Sequence, residues 1–157
     1  MKFIADHMLG TLARWLRFMG YDTIYPPPES DEDLILAAKK QKRTILTRDK
    51  EVGSNRITKA IYIKSDKLNE QIKQVILDLP LNIGKDVLSR CAVCNSKIVR
   101  VDRCNVEGKV PPGVFLGRRK FWKCPKCGRY YWHGTHWQKI LKNINKFKTV
   151  KHRYKRG

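Results

Sequence analysis

Apolar residues in the first eighty positions follow two alternating rhythms. Short runs at residues 2–5 (Lys-Phe-Ile-Ala), 44–47 (Thr-Ile-Leu-Thr) and 60–63 (Ala-Ile-Tyr-Ile) have the length and composition of buried strands. Residues 22–25 (Asp-Thr-Ile-Tyr) make a further strand, cut off by Pro26, Pro27 and Pro28. Between these runs the spacing becomes helical. Met8, Leu9, Leu12, Trp15, Leu16 and Met19 share one face, Arg14 and Arg17 fall mostly off it, and Gly20 supplies a C-terminal cap. Ser30 caps a helix over about residues 31–42, with Asp33 three positions on in capping-box style. Leu68, Ile72, Val75, Ile76 and Leu79 mark another amphipathic helix. Strands alternating with helices predict right-handed crossovers and a parallel sheet, an α/β fold with flanking helices.

The pattern changes after residue 80. Residues 80–86 read as a linker, which divides the chain into an α/β domain at 1–80 and a second unit at 87–157. Residues 98–101 (Ile-Val-Arg-Val) and 121–123 (Phe-Trp-Lys) are candidate hairpin strands, with Pro111, Pro112, Gly113 and the basic Arg118, Arg119 and Lys120 in their connection. From Thr135 to Lys148 a helix is expected, with Trp137, Ile140, Leu141, Ile144 and Phe147 on one face and Lys139, Lys142, Lys146 and Lys148 elsewhere. Residues 148–157 are expected to form a basic tail, mobile unless a partner binds it.

Charge sharpens this division. Residues 1–86 carry 15 basic and 12 acidic side chains, a net +3, whereas residues 87–157 carry 19 basic and two acidic ones, a net +17. A domain so one-signed repels itself unless a polyanion relieves the field. RNA, DNA and anionic membrane are the candidates. Membrane is the weakest, because no basic helix with a broad apolar face is evident and no run approaches the roughly 18 to 20 apolar residues that span a bilayer. The N-terminus meets an acid and a histidine too early for a secretory signal, so a cytoplasmic location is expected.

Two sets of side chains carry candidate chemistry. Parallel α/β sheets bind ligands beyond the carboxyl ends of their strands. Asp6 follows the first strand, Asp49 follows the third, and Asp31 begins the helix between the second and third. Three such acids would form a hard-oxygen site suited to Mg²⁺ or Mn²⁺, able to activate water and offset charge on a phosphodiester. Each also has a plain structural reading: Asp6 as a helix cap, Asp31 as a first-turn acid, Asp49 as a turn residue. The second set is two Cys-x-x-Cys units, Cys91/Cys94 and Cys124/Cys127, separated by 29 residues. In a reducing compartment such units are zinc ligands before they are disulfides, and a four-thiolate shell makes the zinc structural. Cys104 is left over, and His133 and His136 are weaker ligand candidates. Phe121, Trp122, Tyr130, Tyr131, Trp132 and Trp137 interleave with Lys120, Lys123, Lys126 and Arg129, as in surfaces that stack bases while cations follow phosphates. About half of these rings are expected to be core.

The stretch from Phe3 to Tyr25, together with Asp31-x-x-Leu34-Ile35-x-x-Ala38 and residues 45–49 (Ile-Leu-Thr-Arg-Asp), resembles the PIN-like ribonuclease domain at the C-terminus of the mutator-seven exonuclease family. The resemblance resumes at Cys91-x-x-Cys94-Asn95, at residues 124–132 and at residues 134–137 (Gly-Thr-His-Trp), and so covers most of the chain. It implies a PIN-like fold, an acidic metal site matched by Asp6, Asp31 and Asp49, RNase activity and an attached zinc ribbon. For a fourth acid, Asp33 and Glu51 both stand near enough. The architecture is also similar to that of ribosomal-RNA processing endonucleases, which makes ribosomal RNA or the ribosome a candidate partner. The expected function is a metal-dependent ribonuclease whose basic ribbon holds RNA through residues such as Arg118, Arg119, Lys120, Lys123, Arg129 and Lys142. A non-catalytic RNA-binding or ribosome-associated protein is the alternative.

Overall fold

The computed structural model describes residues 1–84 and 86–154, with side chains described through residue 149. Four strands, β1 (Lys2–Ala5), β2 (Asp22–Ile24), β3 (Thr44–Thr47) and β4 (Ala60–Tyr62), form a sheet of order β2-β1-β3-β4 in which every pair is parallel. Helices α1 (Gly10–Phe18, entered through a 3-10 turn at His7–Leu9), α2 (Asp31–Lys40), α3 (Lys50–Ser54) and α4 (Leu68–Asp78) fill the connections. The period-2 pleat sends successive side chains to opposite faces. Phe3 and Ala5 of β1 and Leu46 of β3 join one buried cluster with α1 and α4, while Ile4 and Ile45 join another with Leu34 and Ala38 of α2 and Val52 of α3. Burial on both faces explains why these strands read as continuous apolar runs.

The local signals behave as their chemistry requires. Ser30 Oγ accepts from the Asp33 amide and donates to its carboxylate, closing the start of α2. Gly20 follows α1 at φ +93°, and a Cβ there would run into the Asp86 carbonyl.

The second half forms an antiparallel sheet of β5 (Val99–Val101), β6 (Phe121–Lys123) and β7 (Tyr130–Trp132), in the order β5-β6-β7. A short helix α5 (Pro112–Gly117) lies in the long connection that the sequence marks only as a loop. The last helix, α6 (Thr135–Tyr154), buries Ile140, Ile144 and Phe147 in the same cluster as Leu12, Leu16, Ile72 and Ile76. Each fully buried side chain of this size stabilises by about 1.5–3 kcal/mol, so the helix is held by its apolar stripe against α1 and α4. Leu81 and Ile83, between the two units, join the same core.

Two expectations are corrected. The basic tail predicted from residue 148 is helical through Tyr154, because α6 continues unbroken; residues 155–157 lie outside the described residues. Arg17, placed off the packed face of α1 by periodicity, is 4% exposed.

Candidate functional sites: an acidic rim and a four-thiolate cluster

At the carboxyl end of the parallel sheet, backbone continuity places Asp6 directly after β1, and its amide extends the ladder by donating to Leu46 O. Its carboxylate does not cap the following helix. Instead Thr47 Oγ1, fully buried at the end of β3, donates to Asp6 Oδ2 at 2.8 Å and accepts from the Asp49 amide at 2.9 Å. One hydroxyl therefore joins the ends of two neighbouring strands. The Asp49 side chain caps α3: its Oδ1 accepts from the amides of Glu51 and Val52 at 2.7 and 3.1 Å. Asp31 opens α2, exposed, with no hydrogen bond or ion pair among the described residues. Of the two further acids, Asp33 is engaged by Ser30, and Glu51 is exposed in the first turn of α3. The structure thus ties Asp6 to the Asp49 backbone, while no hydrogen bond joins Asp31 to either. Thr47 is the residue the sequence did not single out; its hydroxyl at the last position of a buried strand, two residues before Asp49, was the available signal.

The cysteines behave differently. Among the described residues they are the one set of three or more His, Cys, Asp or Glu side chains positioned to hold a single ion, with ligand atoms all within 4.8 Å of one another. Cys91 Sγ stands 3.6 Å from Cys127 Sγ, and Cys94 Sγ 3.3 Å from Cys124 Sγ. A tetrahedron of sulfurs at about 2.3 Å from zinc has edges of about 3.8 Å, so the donor set fits that ion. Cys104 is exposed and lies outside the cluster.

Both knuckles are folded by the same backbone bonds. In the first, the Cys91 amide donates to Ser96 O and the Asn95 amide to Cys91 O. In the second, the Cys124 amide donates to Arg129 O and the Gly128 amide to Cys124 O. Both turns need a left-handed residue, Asn95 at φ 68° and Gly128 at φ 74°. Burial opposes ionisation of Cys94, but hydrogen bonds from Ser96, Cys124 and Cys91 outweigh it and bring the thiol down to about 6. Burial also raises the Tyr131 hydroxyl, as does its 2.9 Å bond to Cys91 Sγ, so this ring acts as a neutral outer partner of the cluster.

The first knuckle is docked on the α/β region. Arg17 donates through Nε to Thr23 O, through Nη1 to Ala92 O and Val93 O, and through Nη2 to Tyr25 O, all at 2.9–3.1 Å. Asn95 accepts from the Thr23 amide and donates to Asp22 Oδ1, which also accepts from Arg43 at 2.6 Å. Burial works against ionisation of Asp22, yet the hydrogen bonds of Arg43 and Asn95, with the charges of Arg43 and Arg90, hold its carboxyl below the usual range.

The candidate phosphate ligands are spread over the ribbon. Arg118, Arg119 and Lys120 are exposed between α5 and β6, and Lys142 is exposed on α6. Lys123 Nζ lies 5.5 Å from the centroid of the Tyr130 ring, and a hydrogen bond with Cys127 raises the Arg129 guanidinium. His133 stacks on Trp122 at 4.7 Å and contacts Trp137 at 4.4 Å. Desolvation, then Lys120 and Arg118, lower its pKa, which favours the neutral ring.

A four-stranded parallel α/β sheet with an acidic carboxyl rim, followed by a four-thiolate ribbon and a C-terminal helix, defines the class: a PIN-like nuclease fold with a zinc ribbon. Residues 1–144 match the Mut7-C RNAse domain, and the chain belongs to that family. The function is accordingly of ribonuclease type, with RNA the substrate the family implies. Comparison with curated proteins returned no match, and comparison with solved structures returned none. No helix among the described residues is long and apolar enough to cross a membrane.

Proposed function

We propose that the protein is a metal-dependent ribonuclease that hydrolyses RNA phosphodiesters at the rim of the parallel sheet, while the basic ribbon holds the strand. The observation that carries this reading is the Asp6–Thr47–Asp49 linkage, which brings acids from two strands to one edge of an RNase-family fold. Asp6, Asp31 and Asp49 are all oxygen donors, the set that Mg²⁺ or Mn²⁺ prefers. Such an ion would supply a water of lowered pKa and charge to offset the scissile phosphate. The chain's own contribution is to orient. Thr47 fixes one oxygen of Asp6, and α3 fixes one oxygen of Asp49 through two amides, leaving Oδ1 of Asp6 and Oδ2 of Asp49 outside those bonds. Zinc, held by Cys91, Cys94, Cys124 and Cys127, is structural. Arg118, Arg119, Lys120, Lys123, Arg129 and Lys142 are the proposed phosphate contacts. The similarity in architecture to ribosomal-RNA processing endonucleases supports ribosomal RNA or the ribosome as partner, in the cytoplasm.

The test is cleavage of structured and unstructured RNA in Mg²⁺ or Mn²⁺ by the full chain and by its Asp6→Asn and Asp49→Asn variants. Each substitution should lower the rate at least 100-fold, a size typical of losing electrostatic stabilisation at a reacting centre, while RNA affinity stays within about threefold. Cleavage undiminished in both variants refutes the assignment. An inert wild type that still binds RNA favours the non-catalytic RNA-binding reading, which is supported by the use of Asp49 as a helix cap.

A further inference from the structure

A cavity of about 540 Å³ opens where four elements meet: α1, the first zinc knuckle, β7 and the start of α6. None of the assigned carboxylates or cysteines lines it. We propose that this cavity is a binding site for one nucleotide of a single-stranded RNA, its base held among aromatic rings and its phosphate by arginine.

Three features converge on that ligand. The volume is in the range of small-molecule pockets. Its walls carry Phe18 of α1, Tyr130 and Trp132 of β7 and Trp137 of α6, so aromatic residues from three elements line it. Its charged lining is of one sign: Arg14, Arg90 and Arg129 contribute, and no Asp or Glu does. Arg90 is already committed to Gly20 O and Asn95 O, and Arg129 to Cys127, whereas Arg14 is exposed and makes no hydrogen bond or ion pair among the described residues. Thr135 and His136, in the first turn of α6, also line the cavity. The amides of a first helical turn lack intrahelical acceptors and complement an anion. An anionic ligand with a flat aromatic part satisfies all of these at once. A purely apolar ligand would leave the arginines unanswered, and inorganic phosphate would leave the rings unused.

The position of the cavity gives it a role. Asp6 lies before the start of α1, while Arg14 and Phe18 stand one and two turns further along. At 1.5 Å per residue, Phe18 is about 12 Å beyond Gly10 along the helix axis. The cavity is therefore an anchor at a distance from the acidic rim, where it would raise the residence time of a strand without touching the bond that is cut. The choice of RNA as the polymer rests on the ribonuclease reading; the binding of a nucleotide does not.

The experiment is titration of the zinc-loaded full chain with uridine and adenosine 5′-monophosphate and with inorganic phosphate, at constant ionic strength, reading tryptophan fluorescence because Trp132 and Trp137 line the site. Saturable quenching is expected from both mononucleotides, at least tenfold tighter than any response to phosphate. Arg14→Gln should weaken it at least fivefold. Val93→Phe, which fills the cavity from an exposed position without changing charge, should weaken it as much. Lys39→Gln, an equal loss of charge on exposed α2, should leave it unchanged. Equal affinity for phosphate and nucleotide, or equal weakening by Arg14→Gln and Lys39→Gln, overturns the site. RNA cleavage without nucleotide quenching also overturns it and leaves the ribonuclease reading standing. Quenching in a chain that cuts no RNA does the reverse.

Discussion

The two Cys-x-x-Cys knuckles share a backbone plan and have opposite surroundings. Each begins with a cysteine whose amide reaches the carbonyl five residues on, and each turns back through a left-handed residue at the fifth position. At Gly128 a Cβ would meet nothing within 4 Å, so glycine there answers only the backbone. At the equivalent point of the first knuckle stands Asn95, the residue that tolerates the left-handed region best after glycine. Its amide side chain spans to Thr23 and Asp22. The guanidinium near each knuckle differs in the same way. Arg17 is buried and binds two knuckle carbonyls, while Arg129 is exposed beside Cys127. One knuckle ties the thiol cluster to the sheet, and the other makes no side-chain bond to it among the described residues, although the two cysteine pairs are buried alike. The same turn thus serves as a structural joint on one side only.

The largest effect should come from cutting the joint. Arg17→Met keeps an apolar stem of similar length but leaves the carbonyls of Thr23, Tyr25, Ala92 and Val93 without their donor. Buried groups left unsatisfied cost about 1–3 kcal/mol each, and partial access of water reduces the sum. A loss of about 3 kcal/mol or more is expected, or roughly 6–12 °C in melting temperature for a chain of this size, with zinc still bound. Arg129→Met should leave the melting temperature nearly unchanged, as for other exposed positions. Thermal unfolding of the two zinc-loaded variants checks this. Equal shifts would show that docking of the first knuckle contributes nothing of its own.

Arg17 also marks the limit of what the sequence made legible. The strands around Phe3-Ile4-Ala5 and Ile45-Leu46 were readable because parallel strands buried on both faces are apolar throughout, and the four thiolates because their spacing is dictated by one ion. Arg17 was misplaced because helical periodicity assigns charge to solvent; the carbonyls of Thr23 and Tyr25, and those of Ala92 and Val93 75 and 76 residues away in the first knuckle, reverse that. α3 has five residues, too few to show a period, and its existence is visible only through the cap that Asp49 makes. β7 escaped because Tyr130, Tyr131 and Trp132 were read for the ligands they could stack rather than for the sheet they complete. Asp6, Asp31 and Asp49 could be named from the sequence as candidates, but the hydroxyl of Thr47 that bridges Asp6 to the Asp49 amide could not, since a threonine in a strand ordinarily signals nothing beyond β-propensity.

A milder perturbation exchanges the two left-handed residues. Asn95→Gly keeps the turn and removes the bonds to Thr23 and Asp22, at an expected cost of about 1–2 kcal/mol. Gly128→Asn puts a tolerated residue into open space, with an expected change of only a few tenths of a kcal/mol. Urea denaturation of both variants, with zinc occupancy measured alongside, makes the comparison quantitative. If Gly128→Asn proves the more damaging, the asymmetry lies in the turns themselves and not in what Asn95 reaches.

The smallest effect concerns the charge that Asn95 reaches. Asp22 has a folded pKa held below its unfolded value of about 3.9. The sign follows from linkage: its stabilisation is fully present above the unfolded value and is lost as pH falls through the folded one. Asp22→Asn should therefore lower the urea midpoint at pH 6, and its gap from the wild type should shrink as pH falls below the ordinary carboxylate range. Acid removes zinc from thiolates as well, but it does so in both proteins, so the difference between them isolates the carboxylate. Arg43, which sits against β1 and β2 rather than on the ribbon, lies 2.6 Å from Asp22. A gap between the two midpoints that stays constant from pH 6 to pH 2 would mean that the substitution acts through shape, and that the ion pair with Arg43 adds nothing to the joint.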